Sequence, residues 1–145
     1  VAVIDTDSQH PAHPATHAID GDPSTIWHTP WGAVEPEHPH WLSLDFGKAR
    51  TLTAVRLTPR QKGPNGRPKT IVLYAGEDGQ NWGEPVRQQQ ANPGGRVTVI
   101  ALGKPLTTRF LKIEFPDSAD GGKFSSLAEL EVVFADKKST RPRSP

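Results

Sequence analysis

Residues 17–31 read H-A-I-D-G-D-P-S-T-I-W-H-T-P-W. This short, mostly non-regular stretch holds two chemistries. Asp20, Asp22, Ser24 and Thr25 gather oxygen atoms around a turn made by Gly21 and Pro23. Hard oxygen donors in a tight loop suit a calcium ion. Trp27, His28 and Trp31 then supply three rings. Rings beside polar groups suit stacking on a flat apolar face, such as a sugar presents. The first half reads as a metal-stapled loop and the second as one wall of a carbohydrate site.

The whole chain is consistent with that. Its 145 residues fit one domain able to bury a substantial core. The formal charge is +1, with Lys and Arg scattered, so no basic stripe points to nucleic acid. No apolar run reaches the length of a membrane span. No secretory leader is visible and the sequence starts at Val1, which reads as a mature or excised module. The absence of Cys excludes disulfides and thiol chemistry, and a secreted module stapled by calcium needs neither. The 15 Pro and 13 Gly disfavour long helices. Short β-rich runs separated by turn signals predict an all-β sandwich or barrel.

Val1–Asp5 reads as an edge strand and Ser8–Pro14 as a polar loop with two His. In Trp41–Phe46 the alternation puts Leu42, Leu44 and Phe46 on one face. Thr51–Thr58 is a separate strand with Val55 and Leu57 inward. Residues 59–68, P-R-Q-K-G-P-N-G-R-P, are too rich in Gly and Pro for a strand and read as a long functional loop. Lys69–Gly76 is a strand, and Asp78-Gly79 the turn after it. Arg96–Leu102 and Arg109–Phe115 are strands divided by a turn at Gly103–Leu106, and Leu127–Phe134 closes the fold. Residues 1–135 form the module. Residues 136–145, D-K-K-S-T-R-P-R-S-P, read as a linker or frayed tail leading to another domain. Trp27, Trp41 and Trp82 are expected in the core. His38 and His40, near Glu35 and Glu37, match no zinc spacing, and the two His read as solvated.

Five pieces carry a resemblance: A-I-D-G-D-P-S-T-I-W-H-T-P-W, L-D-F-G, P-R-Q, D-G-Q-N-W and S-L-A-E-L-E-V. In this order, across residues 15–135, the sequence resembles the discoidin, or coagulation-factor type C, β-sandwich, in the branch of the family 32 carbohydrate-binding modules. The resemblance implies a discoidin-like jelly-roll β-sandwich with a structural calcium site. Its ion would be held by the His17 carbonyl, the Asp20 carboxylate, the Asp22 carbonyl, the Thr25 carbonyl and hydroxyl, the Ala128 carbonyl and the Glu129 carboxylate. Two carboxylates balance a divalent ion, and the other oxygens suit a coordination of six or more. An ion joining segments so far apart closes a long loop. On local spacing alone Asp20-Gly21-Asp22-Pro23 reads more readily as a solvated turn. The matching Ala128-Glu129 pair turns the reading toward an ion, with sodium or another hard cation still open.

The resemblance also implies a sugar site. His28, Trp31 and Arg60 match the family's contacts, and Phe124 sits where an aromatic stacks on the sugar. Asn65 lies nearest the later polar contact, whose usual acidic position falls on Gly66. Gln9 or His10 would add a contact from the N-terminal loop. Arg suits this work because its planar guanidinium presents fixed donors to adjacent hydroxyls. Singly, His28 reads as a structural His, Arg60 as a solvated charge and Phe124 as a cap on the sandwich. Together they suggest galactose or GalNAc, with GlcNAc or another glycan open.

The expected function is a monomeric, extracellular, non-catalytic carbohydrate-binding module. A covalently linked catalytic domain would gain local substrate concentration from it. Nucleic acid and membrane are not expected partners. The alternative is a discoidin-type adhesion module for a cell-surface protein or lipid. An enzyme reading lacks two carboxylates facing one cleft.

Overall fold

A computed structural model describes residues 3–135, so the stretch read as a linker, 136–145, lies outside the described residues. The elements are β1 (Val3–Thr6), one turn of 3-10 helix (Ala15–Ile19), β2 (Trp27–His28), β3 (His40–Thr58), β4 (Thr70–Gly76), β5 (Arg87–Gln90), β6 (Thr98–Phe115), β7 (Ser126–Leu127) and β8 (Glu129–Phe134). No helix among the described residues is long and apolar enough to cross a membrane.

Two long strands build the frame. β3 has 19 residues and β6 has 18, and they pair antiparallel almost throughout. The register slips between Asp45 and Arg50 and again between Leu52 and Ala54. Such irregularities bend a ribbon, and here they fold the pair back on itself. One half carries β1 on one edge and β4, then β5, on the other. The second half carries β8, which pairs with Leu52–Thr58. The inner faces of the halves meet in a single core, so the sheet packs as a sandwich.

The core follows the alternation. Leu42, Leu44 and Phe46 lie beside Leu111, Ile113 and Phe115 of β6 and Ile71 and Leu73 of β4 on the inner face of one half. Leu52, Val55, Leu57, Ile100 and Leu130 close the opposite side. Leu52 and Val55 lie three positions apart, which in a regular strand puts them on opposite faces. The slip at Thr53 resets the phase, and both are fully buried. Each such side chain contributes about 1.5–3 kcal/mol of burial.

The structure departs from the sequence reading in four places. Trp41–Phe46 and Thr51–Thr58 are not separate strands: both lie in β3, which runs on through residues 47–50. Gly103–Leu106 is not a turn: β6 runs through it, with Gly103 at φ 78° beside the slip in β3. Trp41 and Trp82 are half-buried, outside the core. Trp41 precedes the inward Leu42, so parity turns it outward. There Trp41, Tyr74 and Trp82 surround the Lys112 ammonium at 5.6, 5.1 and 5.8 Å from the ring centres, a cation–π cluster on the outer sheet face. His40 is not solvated. Its side chain is wholly buried at the start of β3.

The chain's described ends meet at the bend. Val3 pairs with Asp45, Phe134 pairs with Leu52, and the Ala135 N–H donates to the Thr51 carbonyl at 2.8 Å. The other ends of β3 and β6 open into the loops at the far end of the sandwich. There the Ser126 N–H donates to the Gly66 carbonyl at 2.9 Å, and the Ser126 hydroxyl to the Asn65 carbonyl at 2.7 Å. Gly66 has φ 79°, and a Cβ on it would stand 2.9 Å from the backbone of Ser125 and Ser126. Position 66 is thus closed to an acidic side chain by this packing. Gly66→Ala is expected to cost about 1–3 kcal/mol in urea unfolding. An unchanged midpoint would show that this seam yields freely.

Candidate functional site

The site is built on the two residues of β2. Trp27 points into the core, where its ring lies 5.8 Å from that of Phe115. His28 points the other way. On one edge His28 pairs with Ser126 of β7. On the other, the His10 N–H donates to the His28 carbonyl at 2.8 Å and the His28 N–H to the His13 carbonyl at 3.1 Å. Four chain segments therefore lie side by side in the order 10–13, β2, β7 and 65–66. That seam sets the position of every loop at this end.

Rings gather over it. His28 meets Trp31 edge-on at 4.8 Å and Phe124 at 5.4 Å between ring centres. His10 stacks on Trp31 at 3.9 Å with the planes 18° apart, and His13 lies 5.6 Å from the same indole. Trp31 remains 44% exposed, so much of the ring is open to a ligand. The sequence reading singled out His28, Trp31 and Phe124, and the fold brings them together. His13 was missed. Its signal was the H-P-A-H-P run at 10–14, a Pro-bracketed turn that presents both imidazoles. Gln9 is used locally: its side-chain oxygen accepts from the Ala15 N–H at 2.8 Å. Of the two N-terminal candidates, His10 is the one against Trp31.

Protonation is readable from the partners. His28 Nδ1 lies 2.6 Å from the Thr29 carbonyl, which can only accept, so Nδ1 carries the proton. Burial, with the Arg60 charge adding to it, holds the His28 pKa below the ordinary value despite the Thr29 carbonyl. Neutral His28 thus keeps Nε2 as an acceptor. His13 is held low by burial and then by His10, His17 and Arg60. The Arg60 Nε donates to the Lys62 carbonyl at 3.0 Å, and no carboxylate pairs with its guanidinium among the described residues. Burial and the neighbouring Arg67 both act against its charge. The Asn65 carbonyl is held by Ser126, while its side chain makes no hydrogen bond among the described residues.

The ring-bearing loops are braced from outside. Glu35 accepts from the Gly32 N–H at 3.0 Å, and Lys123 sits 3.5 Å from both Glu35 and Glu37. His38 bonds Ser125 at 3.0 Å. His40 reaches Asp7 Oδ2 through Nδ1 and the Lys123 carbonyl through Nε2, each at 2.8 Å. Both partners accept, so both ring nitrogens carry protons. Burial opposes that charge, but Asp7 and the Lys123 carbonyl outweigh it and raise the pKa above 6.5. The four residues that superficially suggested zinc are committed to holding loops.

A second cluster lies beside the first. The Thr25 hydroxyl donates to Asp20 Oδ2 at 2.5 Å, the Asp22 N–H to Asp20 Oδ1 at 2.9 Å, and the Thr25 N–H to the Asp22 carbonyl at 3.2 Å. Glu129, first residue of β8, faces Asp20. Its Oε1 is buried without a hydrogen-bond partner. Burial, then the facing Asp20 carboxyl, pushes the Glu129 pKa up to about 7, whereas hydrogen bonds from Thr25 and the Asp22 N–H hold Asp20 low against burial. No group of three His, Cys, Asp or Glu side chains forms a metal site among the described residues. A cation here would draw on carbonyls and a hydroxyl besides the two carboxylates. The donor set fits a hard divalent ion: a buried, unpartnered carboxylate oxygen opposite a second carboxylate is satisfied by a cation between them, and without one by the proton that the raised Glu129 pKa retains.

The His40 pair gives a pH prediction. A folded pKa raised above 6.5 supplies stability that is complete below 6.5 and fades as pH rises through the folded value. Asp7→Asn should therefore destabilise the fold more at about pH 5.5 than at about pH 9, by chemical denaturation. An equal loss at both would mean that the imidazolium contributes nothing.

The sequence profile of the F5/8 type C domain matches residues 3–130. A sialidase of Micromonospora viridifaciens is 31% identical over 141 residues, spanning 91% of this chain and 21% of the sialidase. A galactose oxidase of Gibberella zeae is 29% identical over 134 residues, spanning 91% of this chain and 20% of the oxidase. The chain thus covers about a fifth of the length of either enzyme. Among solved structures, the family 32 carbohydrate-binding module of Clostridium perfringens NanJ, in complex with galactose, aligns with a TM-score of 0.79 at 29% identity, over 90% of this chain and 91% of that one. Sequence and bent sandwich agree over nearly the whole described length: the chain belongs to the F5/8 type C domain family.

Proposed function

We propose that this chain is a non-catalytic module that binds a galactose-type sugar, galactose or GalNAc, and holds an attached glycan-active enzyme at its substrate outside the cell. One observation carries the reading. A neutral His28 with Nε2 free to accept lies in the field of Arg60, a guanidinium that no carboxylate pairs among the described residues, and Trp31 and Phe124 flank the imidazole. An acceptor and a charged donor together take adjacent hydroxyls, and the rings take the C–H face. Asn65 offers a further amide from the loop across Ser126.

The solved NanJ module holds galactose, which supports the sugar class. The sialidase and the galactose oxidase are each several times longer than this chain, which supports an attached catalytic partner. A tethered module acts by raising effective concentration, so modest affinity suffices. Acid–base chemistry has no foothold in the ring cluster: Glu35 and Glu37 face Lys123, and Asp20 faces Glu129.

The Asp20–Glu129 cluster is assigned to a structural calcium ion, held by Asp20, Thr25 and Glu129 with the carbonyls of His17, Asp22 and Ala128. Its positive charge would let both carboxylates ionise and would tie the 17–25 loop to the start of β8.

Arg60→Ala should weaken galactose binding at least about tenfold in calorimetry, ~1.4 kcal/mol, with the thermal midpoint nearly unchanged. A large drop in midpoint instead would make Arg60 a structural residue. EDTA should lower the midpoint by on the order of 5 °C, and Asp20→Ala should remove that response. Superimposable melts with and without chelator would refute the calcium assignment.

A further inference from the structure

Next to the ring cluster a cavity of about 540 Å³ opens between Ala12 and His13, the Ser24–Ile26 stretch with His17, and Arg60, Gln61 and Lys62. That volume lies within the range of small-ligand sites. The cavity is continuous with the sugar site, because His13 and Arg60 belong to both: the His13 ring lies 5.6 Å from Trp31 and 6.3 Å from His28. Its cationic wall comes from a loop that holds Arg60, Lys62, Arg67 and Lys69 within residues 59–69, and no acid. The loop is fixed from behind. The Gln61 amide donates to the Pro59 and Gly95 carbonyls at 2.7 and 3.0 Å, and the Arg67 Nε to the Arg60 carbonyl at 3.0 Å. Neither Arg60 nor Lys62 is paired with a carboxylate among the described residues. No acid among the described residues lines the cavity, and Asp22, which precedes Pro23 of the opposite wall, is held by Ser24, whose N–H and hydroxyl donate to its Oδ1 at 2.9 and 2.6 Å.

We infer that this cavity receives an acidic saccharide unit, carrying a carboxylate or a sulfate ester, linked to the galactose-type sugar in the neighbouring site. The inference rests on the galactose reading above and adds a subsite to it. The apolar surfaces of Ala12, Pro23 and Ile26 meet the ring, and Lys62 meets the anionic oxygens while Arg60 stands at the junction with the neighbouring sugar. An ammonium without a carboxylate partner in a recess, as Lys62 is among the described residues, is a selective receptor for such oxygens, since it forms stronger charge-assisted bonds with an anion than with a neutral hydroxyl.

The test is calorimetry with lactose, 3′-sialyllactose and 3′-sulfolactose, on the wild-type chain and on Lys62→Ala. The acidic ligands should bind about three- to fivefold tighter than lactose, with the gain shrinking as salt rises. Lys62→Ala should erase the gain and leave the lactose affinity unchanged. A gain for the sialylated probe alone assigns the subsite to carboxylates, and for the sulfated probe alone to sulfate esters. Lactose binding with no gain for either acidic probe, or a gain that survives Lys62→Ala, overturns the subsite and leaves the galactose reading intact. No binding of any of the three overturns both.

Discussion

The backbone pairing of β2 joins the hydrophobic core to the ring-bearing end of the molecule. Its two residues are consecutive, so the pleat sends Trp27 inward and His28 outward. The indole N–H bonds the Ser8 carbonyl at 3.0 Å, which fixes the start of the 8–14 loop. A slip of one residue would exchange the two faces, placing an imidazole in the core and an indole in the seam. Trp27 packed on Phe115 resists that slip, and with it the positions of His10, His13, Trp31 and Phe124 are held. Core packing and site geometry are thus a single constraint.

Charge is segregated around that seam. The Asp20–Glu129 cluster is acid-rich, while the 59–69 loop, which leaves β3 just past Thr58, the strand partner of Glu129, is purely basic. Burial holds the pKa of His13 and of His28 low beside them. The two loop-bracing groups, His40 with Asp7 and Lys123 with the two Glu, keep opposite charges in contact. The unmatched groups fall where a ligand or an ion would sit, which is where natural folds tolerate local conflict.

Much of the fold was legible in the sequence because strand alternation is a local signal. Leu42, Leu44, Leu111 and Ile113 are in the core where period two puts them. The unity of β3 and β6 was not legible. Gly47 and Gly103 read as breaks, and only pairing between the two strands carries the chain across them. Trp41 shows composition misleading where parity would not: a Trp suggests core, yet its neighbour Leu42 already occupies the inward face. His40 looked solvated because Pro39 precedes it, whereas its partners, Asp7 and the Lys123 carbonyl, lie 33 and 83 residues away. His28 and Trp31 stood out as rings clustered in one short loop, whereas Phe124 emerged only through family resemblance. His13 escaped because its place depends on the seam, a tertiary feature.

The meeting of Val3 and Ala135 at the bend of β3 has a practical reach. The rings and the basic loop occupy the opposite pole of the sandwich. A polypeptide or surface anchored through either of those residues leaves the ring-bearing end pointing away from its mount. A catalytic body tied there would ride behind the module as it grips a glycan, and a sensor chip coupled there would present the recess to the flowing sample.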